Sequence, residues 1–188
     1  MGKGVFVNKF AKLFGPHFIH VTQSSHLVGN FNGHQKDKLL VFADEAFWAG
    51  NKQAEGVLKG LVTEDTLSIE MKGVDVRQFP NFIRLILATN NDWVVPASSE
   101  QRRFVVIDAS AARMQDTAYF GAIINQMKNG GTGALMHHLL SVDLEGVSLR
   151  KIPQTDALAD QKLRSLDSVA TWLFGCLHNG GIEEAETS

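Results

Sequence analysis

Leu39-Leu40-Val41-Phe42-Ala43-Asp44-Glu45 decides the fold: five apolar residues run straight into two adjacent carboxylates. An unbroken aliphatic and aromatic run of this length suits a strand covered on both faces, as in a parallel sheet. Leu85 to Asp92, LILATNND, repeats the pattern, with amides and a carboxylate after the apolar run. Phe104 to Ile107 predicts a third buried strand, entered through Arg102-Arg103. Ligands of open parallel sheets sit beyond the carboxyl ends of the strands. The polar residues of the three runs are therefore expected to meet in one crevice. Acid pair, amide and arginine, in that order, form the layout of a nucleotide-hydrolysing site.

Working outward, Phe6, Phe10, Leu13 and Phe14 fall at helical spacing, and Gly15-Pro16 stops that helix. His17 to Val21 predicts a short strand, and Asn30 to Lys38 a polar loop around Asn32-Gly33. Ala54, Val57, Leu58, Leu61 and Val62 share one helical face. Thr66 to Glu70 and Val74 to Phe79 flank Lys72-Gly73, the signature of a hairpin with a tight turn. After Asp108 the character changes. Helices are predicted over Thr117 to Lys128 and Gly133 to Leu140, separated by Asn129-Gly130-Gly131. Two more follow, over Asp156 to Leu163 and Ser168 to Leu177, the last capped by Asp167 or Ser165. The reading is an α/β core over residues 1–110 and a small all-helical region over 111–188.

Composition narrows the function classes. Of 188 residues, 44% are hydrophobic and 20% charged, an ordinary soluble balance. The formal net charge is −2, so nucleic-acid binding has to come from a local basic surface rather than bulk charge. Cys176 is the single cysteine, which excludes an intramolecular disulfide and a cysteine metal cluster and fits a reducing cytoplasm. No run approaches the ~20 apolar residues of a membrane span. The basic start is interrupted by Asn8, Lys9 and Lys12, unlike a secretory signal.

Five features carry chemistry. Asp44 and Glu45 are neighbours, so on a continuing strand their side chains point to opposite sides. One carboxylate can hold Mg²⁺ while the other orients or deprotonates an attacking water. Asn90 can bridge a γ-phosphate and that water without adding charge, or serve as a turn residue. A guanidinium from Arg102 or Arg103 can stabilise charge on a transferring phosphoryl group, or simply solvate a strand entry. Gly2-Lys3-Gly4 precedes the first amphipathic helix, the place where a phosphate loop puts its lysine. Lys72 at the hairpin tip can contact a DNA backbone. His17, His20, His26 and His34 lack metal-ligand spacing and read as structural.

Gly2-Lys3, Asp44-Glu45, the Lys72 hairpin, Thr89-Asn90 and Arg102-Arg103, in this order and spacing, resemble a superfamily 3 helicase ATPase domain. More closely, FNGHQKDKLLVFADEAFWAG followed by LILATNNDWVVPASSEQRRFVVID resembles the helicase portion of phage and mobile-element primase-helicases. The resemblance extends from Lys3 to about Leu177. It implies a P-loop NTPase-like parallel sheet, ATP and Mg²⁺ as cofactors, and DNA unwinding driven by ATP hydrolysis during replication in a bacterial or phage-infected cytoplasm. Lys3 is then the Walker A lysine, between Gly2 and Gly4. Asp44 is the magnesium carboxylate, Glu45 the base and Asn90 the sensor 1 amide. Arg102 or Arg103 is the finger that reaches a neighbouring subunit's ATP, which implies a homo-oligomeric, hexameric ring. Lys72 grips single-stranded DNA.

The chain departs from that family in two ways. It starts inside the phosphate loop, and Gly4 occupies the usual hydroxyl position. The family places the strand before that loop between the sensor 1 strand and the strand that follows it. The sheet is therefore expected to lack its phosphate-loop strand, leaving Leu85–Ala88 and Phe104–Ile107 with open edges. Alone, the chain is predicted to be unstable or repacked and not to hydrolyse ATP appreciably. The alternative is a catalytically inactive remnant that binds DNA or partner subunits through its hairpin and helices.

Overall fold

Residues 2–45, 52–91, 103–148 and 151–181 are described by the computed structural model. The chain forms helix α1 (Lys3–Phe10), strand β1 (Phe18–Val21), helix α2 (Ser24–Val28), strand β2 (Leu40–Asp44) and helix α3 (Lys52–Thr63). Strands β3 (Thr66–Met71), β4 (Val74–Pro80) and β5 (Arg84–Ala88) follow. From Ala111 every described element is helical: α4 (Thr117–Gln126), α5 (Thr132–Ser141), α6 (Asp156–Arg164) and α7 (Ser168–His178).

Strands β1, β2 and β5 make a three-stranded sheet in the order β1-β2-β5. Both pairings are parallel, with Val21 beside Ala43 and Asp44 beside Ala88. Their carboxyl ends therefore share one rim. The central strand explains the unbroken apolar run. Val41 and Ala43 face a cluster with Val21, Leu27, Ala54, Leu58, Leu61 and Ile83, which joins the sheet to α2 and α3. Phe42 faces the other way, against Val7 of α1 and Ala88. Val41 and Phe42 are both 0% exposed, so each face of β2 is covered. Ala54, Leu58 and Leu61 recur at helical spacing and form the buried stripe of α3. Asn81 holds the end of that helix: its amide donates to Leu61 O at 3.0 Å and Glu64 O at 2.9 Å.

β3 and β4 form a separate antiparallel ribbon. Its tip is Lys72-Gly73, and Gly73 adopts φ 75°, a left-handed turn conformation that glycine takes without steric cost. Asn129 and Gly130 break helical geometry between α4 and α5, as the sequence predicts, with Gly130 at φ 92°. Of the two caps open to α7, Asp167 is the one used, accepting from Ala170 N at 2.8 Å. No described helix is long and apolar enough to cross a membrane.

One strand expectation fails. Phe104–Ile107 joins no sheet. Phe104 packs on the α3-side core, whereas Val105 is 49% and Ile107 78% exposed. The physical reason is pairing. A strand needs a hydrogen-bonded neighbour, and this segment pairs neither with the open edge of β5 nor with any other described strand. Its Val106 carbonyl instead accepts the Thr155 hydroxyl at 2.6 Å, fastening the segment to the start of α6. The five-residue helix α2 was not anticipated, because one buried leucine, Leu27, makes no periodic pattern.

Candidate functional site

The shared rim of the sheet gathers the polar ends of the apolar runs. Gly2 opens α1 in the left-handed region at φ 105°, and a Cβ there would lie 3.0 Å from Phe120 Cζ. This turn aims the first residue of α1 across the rim. Lys3 Nζ donates to the Thr89 carbonyl and, at 2.8 Å, to Asn90 Oδ1. Asn90 passes the connection on, its Nδ2 donating to Glu45 Oε1 at 2.8 Å. Lysine, amide and carboxylate thus form one chain of hydrogen bonds across residues widely separated in sequence.

Glu45 does not continue the strand. Its N–H donates to Ala88 O at 2.9 Å, and its backbone then turns to φ 55°. A non-glycine residue there carries strain of order 1–3 kcal/mol, sustained by the surrounding contacts. The expectation that Asp44 and Glu45 point to opposite sides assumed an extended backbone. The turn is what allows Glu45 to meet Asn90.

Asp44 shares the face of Phe42, two residues before it. His20, paired in register with Phe42, stacks on that ring at 4.8 Å between centroids. Its Nε2 stands 3.9 Å from Asp44 Oδ2, with both side chains partly exposed. Sequence reasoning gave His20 only a structural role. Its place in the predicted strand His17 to Val21, after Phe18 and Ile19, was the available signal. Among the described residues, no group of three or more His, Cys, Asp or Glu side chains is placed to hold a metal. A divalent cation at Asp44 would draw most of its oxygen ligands from water and substrate, the usual manner of Mg²⁺. A Cβ built on Gly4 would meet nothing within 4 Å outside its own helix.

Arg103 does not join this cluster. Arg102 lies outside the described residues. Arg103 is exposed and lines a polar depression with Glu64, Asp65, Asn81 and Arg84. Arg84 is the first residue of β5, whereas Thr89 and Asn90 follow its last. The single-crevice expectation is therefore corrected for Arg103. It precedes its apolar run, so it belongs at the amino end of the layer, opposite the rim. Lys72 is exposed at the ribbon tip, as expected, and stands apart from the rim cluster.

Comparisons with known proteins agree with this architecture. The chain is 29% identical over 113 residues to the DNA primase-polymerase of Nitratiruptor phage NrS-1, a match covering 58% of this chain and 16% of that protein. The apo structure of the NrS-1 C-terminal region superposes with a TM-score of 0.76 at 21% identity, over 95% of this chain and 45% of that one. A second apo structure of the same region, the A form, gives 0.72 at 19% identity, covering 100% of this chain and 48% of that one. The chain thus spans a minor part of the curated relative and under half of each solved chain. At these identities the structures establish a shared fold. A family model, DUF5906, matches residues 1–103, more than half of the sequence. The chain belongs to this family, which is described as one of unknown function.

Proposed function

We propose that this chain carries the ATP-hydrolysing centre of a DNA helicase of the superfamily 3 type, within a phage or mobile-element replication protein. The observation that carries the reading is the relay from Lys3 through Asn90 to Glu45, with Asp44 beside it on the rim. Similarity to a phage DNA primase-polymerase supports a replication setting.

The roles follow from chemistry at named atoms. Lys3, at the opening of α1, exchanges its two oxygen acceptors for phosphate oxygens, assisted by the N–H groups of that helix end. Glu45 orients the attacking water and takes its proton. Asn90, already bonded to Glu45, fixes that carboxylate and senses the terminal phosphate. Bound Mg²⁺, held at Asp44, would neutralise phosphate charge. Arg103 or Arg102 serves a neighbouring subunit's nucleotide, a role consistent with the distance of Arg103 from its own rim, and one that calls for a ring, hexameric in the family resembled. Lys72 contacts single-stranded DNA. The setting is a bacterial or phage-infected cytoplasm.

A second reading, a DNA- or subunit-binding module without catalysis, is favoured by two details. Gly4 offers no hydroxyl to a cation, and the Lys3 ammonium is already engaged at two oxygens. DNA-stimulated ATP hydrolysis by the intact protein separates the two. On the first reading, Glu45→Gln lowers turnover by about 10² to 10⁴-fold with nucleotide binding kept, and Lys3→Ala removes the thermal stabilisation by ATP·Mg²⁺. Turnover indifferent to Glu45→Gln rejects the catalytic assignment. A melting temperature that responds to DNA and never to ATP·Mg²⁺ selects the second reading.

A further inference from the structure

The β3–β4 ribbon is tethered along one edge by the loop that runs into β2. Asn32 Nδ2 donates to Ser68 O at 2.8 Å, and Asn32 Oδ1 accepts from Glu70 N at 2.8 Å. Ser68 C=O and Glu70 N–H are the pair that a further strand would use, so one side chain stands in for a strand residue. The pairing of β3 with β4 shifts register between Ile69 and Met71, where Asp75 and Val76 of β4 stand against the single residue Glu70, whose N–H points to the outer edge as the Ser68 carbonyl does. That N–H needs an acceptor, and Asn32 supplies one.

The adjoining residues close the same contact. A Cβ on Gly33 would lie 2.6 Å from Met71 Cγ, so the loop approaches the ribbon as nearly as glycine permits. Lys36 Nζ sits 4.4 Å above the Phe79 ring, touching the second strand. Gln35 is buried, its amide donating to His26 O at 3.0 Å and Leu27 O at 2.9 Å, which binds the loop to α2. Four residues past Lys36 the chain enters β2, whose far end is Asp44.

We infer that Asn32 is the positioning residue of the ribbon. It sets the angle between ribbon and sheet, and thereby where Lys72 is presented to its ligand. A load on Lys72 passes through Asn32 into the strand that ends at the rim. The ligand in this inference, single-stranded DNA, rests on the proposed role of Lys72. The tether itself does not.

Two measurements on the intact protein test it: amide exchange at Glu70, and affinity for a fluorescent oligothymidylate. Asn32→Ala is expected to speed Glu70 exchange and to weaken oligonucleotide binding, each by about tenfold. Asn32→Asp keeps the acceptor and loses the donor, so both effects are intermediate. Gly33→Ala displaces the ribbon and weakens binding, and Gly33→Ala with Met71→Ala restores it, a rescue that general unfolding would not give. Unchanged Glu70 exchange in Asn32→Ala overturns the tether, and unchanged affinity where Lys72→Ala weakens binding overturns its positioning role. If Lys72→Ala leaves binding intact while Asn32→Ala frees the Glu70 amide, the DNA assignment fails and the tether stands.

Discussion

The sheet and the C-terminal helices treat their apolar residues in opposite ways. In β2 every apolar side chain is covered by α1 on one side and α2 and α3 on the other. In α7, Trp172 is 57% and Leu177 74% exposed, and no residue of α4, α5 or α7 is fully buried. Only α6 seats side chains deeply, through Ala157, Leu158 and Gln161. The contrast separates two meanings of hydrophobicity. In the core, contacts within the chain account for the sequence. In α7 an apolar helix surface finds no such account among the described residues.

Substitutions can break this contrast, beginning with the largest effect. Phe42→Ala removes a fully enclosed ring and is expected to cost about 3–5 kcal/mol in a urea titration. A loss below ~1 kcal/mol would mean that β2 is not the centre of the stable unit. Asp167→Ala deletes the cap of α7 and is expected to cost about 1 kcal/mol. Helix content measured by circular dichroism would register that loss, and no change would mean that α7 contributes nothing to the cooperative fold. Trp172→Ser is expected to move stability by no more than about 0.5 kcal/mol. A cost several times larger would show that the indole is covered in solution and would abolish the distinction between the two regions.

The same contrast governs what was legible in the residues alone. β1, β2, β5 and the Lys72 ribbon follow from apolar runs and turn chemistry, because their neighbours satisfy what those patterns require. Phe104–Ile107 carries an equally strong apolar run and forms no strand, since strand formation depends on a partner edge that the run itself does not specify. At the rim, the polar ends of β2 and β5 were identifiable by position. The bond from Asn90 to Glu45 was not, because Glu45 adopts a left-handed turn that no residue type announces. His20 and Asn32 escaped for a related reason. Each acts through one neighbour brought close by the fold, Asp44 in one case and the β3 edge in the other.

Phe120 is one of the points at which the two regions meet. It comes from the first long C-terminal helix and occupies the space a side chain at position 2 would need. A side chain at position 2 would meet both that ring and a φ of 105°, so the opening of α1 at the rim depends on a residue that has none.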